Sequence, residues 1–165
     1  MKRQIWDSLI HFIYPPLCIH CAQNTGHYRQ LLCKECKQNF TLIDPSERCH
    51  RCFSLVEMDS EPCGLCKEYS HPFKGIASAF EHIGPAASLV SELKYKNRFQ
   101  LAKDLATFMF VQFCHLDWPV PDMIVPVPQS FSRGMMRGYN QSLLIAQQFG
   151  KLIDRSAHNV LKRRN

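Results

Sequence analysis

The sequence has no long apolar run. Its 165 residues are 45% hydrophobic and 21% charged, yet no stretch approaches the roughly 18 to 20 consecutive apolar residues of a transmembrane segment. The amino-terminal stretch MKRQIWDSLIHFIYPPL starts with basic residues, but Asp7 and His11 interrupt its apolar middle, and no small-residue cleavage site follows. It is therefore a poor signal peptide, and we predict a short amphipathic helix over residues 1–16.

Acidic residues are scarce in the second half of the chain. Residues 1–70 hold eight basic and eight acidic residues, whereas residues 71–165 hold twelve basic and six acidic ones. No Asp or Glu occurs between Asp122 and Asp154. An anionic partner is therefore expected to meet the second half. A solvated basic surface is the alternative explanation.

Cysteine, by contrast, is abundant and regularly spaced. Eight of the nine cysteines form four CxxC pairs: Cys18/Cys21, Cys33/Cys36, Cys49/Cys52 and Cys63/Cys66. Two CxxC turns complete a tetrahedral four-cysteine site, so four pairs predict two zinc ions, and thiolates at every position leave no place for a catalytic water. A disulfide framework fits this spacing poorly, and no strand–helix frame supports a thioredoxin-like redox site.

The pairing of the four motifs stays open at this point. Sequential sites, which join the first pair to the second and the third to the fourth, need only short loops and are favoured over a cross-braced arrangement. The region has too few aliphatic residues to build an apolar core, so metal binding must provide folding energy. We therefore predict a double zinc ribbon over residues 17–70, with structural zinc in both sites.

The pattern changes after residue 70. A strand is predicted over residues 75–84, a helix from Pro85, a second helix from Leu101 to Leu116, a short buried strand in DMIVPVP and a last helix in YNQSLLIAQQFGKLIDR. The unpaired Cys114 is expected to be a small core residue. Helices that alternate with strands indicate an α/β domain over residues 71–165.

The loop from Pro128 to Asn140 follows the predicted strand and leads into the last helix. In α/β folds ligands bind at the carboxyl ends of strands, and helix amino termini attract anions. The loop therefore predicts a phosphate or pyrophosphate site at Arg133, Arg137, Gly138 and Asn140. A second basic segment could also contact phosphate or DNA through Lys94, Lys96 and Arg98. A solvated loop turned by glycines is the alternative.

Four CxxC pairs followed by LKYKNR, VPVP and RGYNQS resemble the competence protein F family and its DNA-utilization relatives in bacteria. The resemblance implies a double zinc ribbon joined to a type I phosphoribosyltransferase-like domain. It implies a cytoplasmic protein that acts in natural transformation after DNA uptake, together with other competence proteins. The arginine loop would then form the pyrophosphate side of a phosphoribosyl pyrophosphate site, normally used with Mg²⁺.

The sequence departs from that family in one respect. Family members carry paired aspartates and a Thr-Gly-rich loop that bind the ribose and its phosphate. Here no Asp-Asp pair occurs, and the one Thr-Gly, Thr25-Gly26, lies in the zinc region. We therefore expect an incomplete α/β domain that is inactive alone, with no identifiable catalytic residue. Phosphoribosyl pyrophosphate and Mg²⁺ would bind only a full-length form, and an oligomer or second fragment would cover the open sheet edge.

A second hypothesis is a zinc-ribbon adaptor without catalysis. Such a protein would bind single-stranded DNA or other competence machinery. Its surface would combine the basic segment with nearby aromatic rings, namely Tyr95, Phe99, Phe131 and Tyr139.

Overall fold

The computed structural model describes residues 13–56, 63–69, 72–130 and 138–163. These ranges hold five α-helices and one short 3₁₀ turn at Pro45–Glu47. The helices are α1 (Lys34–Gln38), α2 (Gly64–Glu68), α3 (Gly84–Tyr95), α4 (Leu101–His115) and α5 (Gln141–Ile153). None of these helices is both long and apolar enough to cross a membrane. Nearly all of the helix predicted over residues 1–16 falls outside the described ranges.

The chain divides into two compact units, each made of two separate stretches. The first unit combines Met1–Thr41 with His82–Lys96, and the second combines Leu42–Glu81 with Asn97–Asn165. Each unit therefore contains two of the four CxxC pairs. The boundaries given above for a ribbon domain and an α/β domain stay a prediction.

In the first unit, helix α3 begins and packs as its sequence indicates. Pro85 lies in the first turn, where its missing N–H is no loss. One face is buried at helical spacing, and Leu89 and Leu93 are each only 1% exposed. In the ribbon part of the unit, Leu32 and three cysteines form a small buried cluster. The His20 ring Nδ1 lies 2.9 Å from the Ser88 hydroxyl, which links a CxxC turn to α3.

In the second unit, α4 and α5 pack against each other. Ala102 and Ala106 are buried on α4, and Ala146 is buried on α5. Small side chains of this kind let two helices approach closely. The Phe113 ring meets the Phe149 ring edge-to-face at 5.7 Å between centroids, a favourable geometry for aromatic pairs.

Strand pairing in the described ranges is limited to isolated bridges. One of them, between Ile124 and Ala157, is parallel and was not predicted. The Ile124 N–H donates to the Ser156 carbonyl at 3.3 Å, and the His158 N–H donates to the Ile124 carbonyl at 2.9 Å. With α5 between them, these segments form a minimal strand–helix–strand unit, which is the connection that parallel pairing requires.

The first predicted strand is only partly realised. Within residues 75–84, Ile76 N–H donates to the Arg51 carbonyl and the Ala79 carbonyl accepts from Ile43 N–H, but no continuous ladder forms among the described residues. The described residues therefore form two cysteine-rich turns, each followed by a short helix, and then three longer helices. One isolated parallel bridge joins Ile124 to Ala157.

Two burial expectations were wrong. The DMIVPVP segment was predicted as a buried strand, but Met123 is 53% and Val127 is 72% exposed, because no described segment packs over them. Cys114 was predicted in the core and is exposed. The buried side of α4 includes Leu101, Leu105 and other residues, and Cys114 lies off that side.

Gly150 makes the parallel contact sterically feasible. The chain leaves α5 through Asp154, which has a left-handed φ of 54°, and the Arg155 N–H returns to the Gly150 carbonyl at 2.8 Å. A Cβ at position 150 would collide with the Arg155 carbonyl oxygen and press on the Ile124 side chain. Only glycine allows the segment after α5 to pass this close.

Candidate metal centres

The first CxxC pair lies in a tight turn. The Ala22 N–H donates to the Cys18 carbonyl at 3.0 Å, and the Cys18 N–H donates to the Gln23 carbonyl at 2.8 Å. Ala22 has a left-handed φ of 59°. This conformation closes the turn, so that the two thiols project to the same side.

The third CxxC pair repeats this turn. The Phe53 N–H donates to the Cys49 carbonyl at 2.9 Å, and the Cys49 N–H donates to the Ser54 carbonyl at 2.9 Å. Phe53 has a left-handed φ of 62°. An isolated antiparallel bridge flanks each turn, Leu17 with Asn24 and Arg48 with Leu55. The ribbon is therefore an internal structural repeat.

The second and fourth pairs lie at the starts of the two short helices. Cys33 precedes α1 and Cys63 precedes α2, each as the residue before the first helical turn. Cys36 and Cys66 follow three residues later within those helices. Residues three apart lie on one face of a helix, so each helix presents two sulfurs to one point.

The cysteines come together in sequential groups. One quartet is Cys18, Cys21, Cys33 and Cys36, and the other is Cys49, Cys52, Cys63 and Cys66, with all four sulfurs of each group within 4.8 Å of one another. The sequential pairing favoured from loop length is therefore the arrangement observed.

The sulfur spacing fits tetrahedral zinc. A Zn–S bond of about 2.3 Å places tetrahedral sulfurs about 3.8 Å apart. The Cys21–Cys33 and Cys21–Cys36 sulfur distances are 3.5 and 3.6 Å, and the Cys52–Cys63 distance is 3.4 Å. These separations are far beyond a disulfide bond of about 2.05 Å. The two quartets are structural zinc sites, closed to water because thiolates fill every position.

The electrostatics of the first quartet also favour a cation. Burial opposes ionisation of Cys18, but N–H groups of Cys21, Cys33 and His20 outweigh it and lower its pKa to about 6. Burial and the neighbouring thiols raise the pKa of Cys36 strongly. One thiolate therefore forms readily at neutral pH, whereas full ionisation of the quartet needs a positive ion at its centre.

The second quartet has the same asymmetry. Hydrogen bonds from the Ser54 hydroxyl and N–H lower the pKa of Cys52 to about 6. Burial and then the thiols of its three partners raise the pKa of Cys66 to about 12. Each quartet therefore contains one thiol with a lowered pKa and one with a strongly raised pKa.

The predicted anion loop is described only in part. Arg133 and Arg137 lie outside the described residues. Gly138 has a left-handed φ of 72°, and the Asn140 side chain accepts from the N–H groups of Ser142 and Leu143 at 3.0 and 3.3 Å. Asn140 is therefore the amino-terminal cap of α5, and its side-chain oxygen already uses two of the helix's free N–H groups.

The basic segment is divided between the two units. Lys94 and Lys96 lie at the end of α3 in the first unit, and Arg98 lies in the second. The Lys96 ammonium pairs with the Glu92 carboxylate at 2.6 Å. Glu92 is 5% exposed, and it was not singled out from the sequence. Its four-residue spacing from Lys96 was the available signal.

The chain resembles one known protein family and several known bacterial proteins. A family model described as a double zinc ribbon domain matches residues 9–73. The chain is 27% identical over 151 residues to Competence protein F of Haemophilus influenzae, which covers 88% of the chain and 65% of that protein. It is 29% identical over 137 residues to DNA utilization protein YhgH of Salmonella typhi, covering 81% of the chain and 60% of that protein.

The Escherichia coli K12 protein of the same name is 27% identical over 143 residues, covering 83% of the chain and 61% of its own length. The chain thus spans less than two thirds of the length of these relatives. No solved structure gives a significant match.

Proposed function

We propose that the chain is a member of the competence protein F family and that it serves the use of external DNA as a zinc-stabilised protein of the phosphoribosyltransferase-like type. The observation that carries the proposal is the similarity to proteins named for competence and DNA utilization over 81–88% of the chain. The two cysteine quartets support it, because both lie within the matched double zinc ribbon.

In this proposal zinc supplies structure and no chemistry. Each ion joins a CxxC turn to the start of a short helix and so folds a segment with little apolar core. Stable four-thiolate sites require reduced cysteines, which suits a reducing compartment such as the cytoplasm. Contacts with other competence proteins complete the proposed role.

The anion site is proposed at the start of α5. The Asn140 side chain accepts from the N–H groups of Ser142 and Leu143. The N–H of Gln141 is not used by this cap and is available to an anion. The Gln141 side chain is 9% exposed, and its Nε2 has no hydrogen-bond partner among the described residues. With Arg133, Arg137 and Gly138 nearby in sequence, these donors suit a pyrophosphate group.

Catalysis is not proposed for the chain alone. Transfer of a phosphoribosyl group needs donors and a divalent metal at the leaving pyrophosphate, as well as groups that hold the ribose. The paired aspartates expected for the second task do not occur in this sequence. Binding of Mg²⁺ and phosphoribosyl pyrophosphate is therefore proposed for a protein of this family that also carries such aspartates.

Calorimetry with inorganic pyrophosphate tests the anion site. The paired substitution of Arg133→Gln and Arg137→Gln should weaken binding at least tenfold, and Gln141→Leu should weaken it several-fold. The paired substitution of Arg155→Gln and Lys162→Gln removes the same two positive charges beyond α5 and is the control. Equal binding by all variants would contradict an anion site in this loop.

A second candidate function is binding of single-stranded DNA. Tyr95 is 72% exposed, which favours a ring that stacks on a base beside Lys94. Stacking contributes about 1–3 kcal/mol per base, so Tyr95→Ala should weaken binding of a labelled oligothymidine at least fivefold in an anisotropy titration. Tyr69→Ala removes a similarly exposed ring elsewhere in the chain and should not. Salt-dependent DNA affinity without pyrophosphate binding would favour this function.

A further inference from the structure

The two cysteine quartets share a backbone arrangement but differ in the exposure of the second cysteine of the turn. Cys21 in the first quartet is exposed, whereas its counterpart Cys52 in the second quartet is only partly exposed. The other three cysteines of the first quartet, Cys18, Cys33 and Cys36, are 3%, 5% and 7% exposed. Oxidation of a thiolate depends on its access to the oxidant, and the first quartet provides that access at Cys21.

A neighbouring hydroxyl also distinguishes the two turns. The Cys52 sulfur lies 3.3 Å from the Ser54 hydroxyl oxygen. The equivalent residue of the first turn, two positions after Cys21, is Gln23, which has no hydroxyl. A hydroxyl that donates to a thiolate stabilises its charge, and a stabilised thiolate is a weaker nucleophile. Cys21 is therefore both the more accessible and the more reactive of the two equivalent sulfurs.

Two partner sulfurs lie beside Cys21. Its sulfur is 3.5 Å from the Cys33 sulfur and 3.6 Å from the Cys36 sulfur. A disulfide of about 2.05 Å forms when the exposed cysteine moves toward either of them. A reactive cysteine next to a second thiolate is the arrangement of a reversible oxidation site, because the second sulfur displaces the oxidised oxygen.

We propose that Cys21 is an oxidation site for peroxides and that the first quartet is a reversible, zinc-releasing redox switch. The Cys21 thiolate attacks one oxygen of the peroxide, so that an S–O bond forms, the O–O bond breaks and hydroxide leaves. The Cys33 or Cys36 thiolate then attacks the Cys21 sulfur, so that a disulfide forms, the S–O bond breaks and a second hydroxide leaves. The two thiolates lose two electrons to the peroxide, and two protons from solvent convert the hydroxides to water. The quartet then keeps two thiolates, too few to hold zinc.

Oxidation of the first quartet also affects α3. His20 lies between Cys18 and Cys21 in the turn, and its Nδ1 is 2.9 Å from the Ser88 hydroxyl on α3. Release of zinc removes the constraint that holds the turn, and the contact with α3 is lost with it. The inference rests on the zinc sites and is independent of any role in DNA use.

Hydrogen peroxide added to the zinc-loaded chain tests the proposal. A Cys114→Ser background is used because Cys114 is also exposed. A chromogenic chelator records zinc release against a peroxide-free baseline, and native mass spectrometry counts the ions that remain. We expect one ion to leave roughly tenfold faster than the other, since access and reactivity both favour Cys21. Peptide mapping should find a disulfide that contains Cys21, and reductant followed by zinc should restore both ions. Amide exchange should rise in α3 and stay unchanged in α5.

Substitutions at the equivalent turn positions test the role of the hydroxyl. Gln23→Ser supplies a hydroxyl beside Cys21 and should slow release of the first ion about fivefold, in line with the net contribution of one hydrogen bond. Gln30→Ser makes the same change at another exposed residue between the first two CxxC pairs and should not alter the rate. Ser54→Ala should speed release of the second ion by a similar factor. Zinc content and circular dichroism before oxidation check that all variants fold.

Three results would overturn the proposal: both ions leave at the same rate, the first disulfide lacks Cys21, or Gln23→Ser and Gln30→Ser release zinc equally fast. The assay contains neither DNA nor pyrophosphate, so its failure leaves the proposed function untouched. Failure of the DNA and pyrophosphate titrations likewise leaves the redox switch untouched.

Discussion

Gly150→Ala should destabilise the second unit strongly. The glycine is buried, and a methyl group there would overlap the Arg155 carbonyl oxygen and lie 3.3 Å from the Ile124 Cδ1. The carbonyl is part of the backbone and cannot rotate away. The segment after α5 must therefore shift, which disrupts the hydrogen bonds that Ile124 makes with Ser156 and His158.

The magnitude follows from three contributions. Overpacking costs about 1–3 kcal/mol, and two lost backbone hydrogen bonds cost about 1 kcal/mol each. Alanine regains about 1 kcal/mol of helix propensity relative to glycine. The net loss in the free energy of unfolding is therefore about 2–4 kcal/mol, or a decrease in Tm of roughly 5–15 °C for a chain of this size.

Urea denaturation of the zinc-saturated protein measures this loss, and amide exchange at His158 reports whether the parallel contact opens. Gly64→Ala is the matched control, since a Cβ there meets nothing within 4 Å and the residue begins a helix. It should leave stability unchanged or slightly raised. If Gly150→Ala and Gly64→Ala proved equally stable, the close approach of Arg155 to α5 would be refuted.

Four further predictions concern the metal sites and the first unit. Cys36→Ser should reduce bound zinc from two ions per chain to one by mass spectrometry, because each quartet folds around its own ion; loss of both ions would contradict separate sites. Zinc affinity should fall as the pH is lowered, because protons compete with the ion for the four thiolates of a quartet, and the pKa of Cys18, lowered to about 6, leaves only this kind of thiol ionised before zinc binds; competition with a chromogenic chelator measures the affinity, and an affinity independent of pH would contradict thiolate ligation. Ala22→Gly should raise stability by about 1 kcal/mol in urea, because glycine adopts the left-handed turn without the steric cost; a loss would argue against that turn. Lys96→Met should cost at most about 1 kcal/mol in thermal melts, because it removes an ion pair between Glu92 and an ammonium that is 69% exposed; a loss above about 2 kcal/mol would contradict this.

Local chemistry made several features predictable. The start of α3 followed from Pro85. Asparagine is a preferred cap residue, but Asn140 was predicted as an anion-binding residue and not as the cap of α5. Features that depend on distant residues were not predicted. The exposure of Cys114 depends on which side of α4 is covered, and the usual burial of a free cysteine had placed it in the core.

By itself the sequence determined the metal sites. The spacing of the CxxC pairs specifies turns and helix starts that present two sulfurs each, and short intervals favour sequential quartets. Such interactions span few residues, so residue types and spacing suffice. The tertiary structure alone decided that Ile124 pairs with Ala157 and that Gly150 permits this approach. These features depend on where the chain runs after α5 and on which distant segment it meets there. The free energy of that contact comes from tertiary packing, which the local residue pattern does not specify.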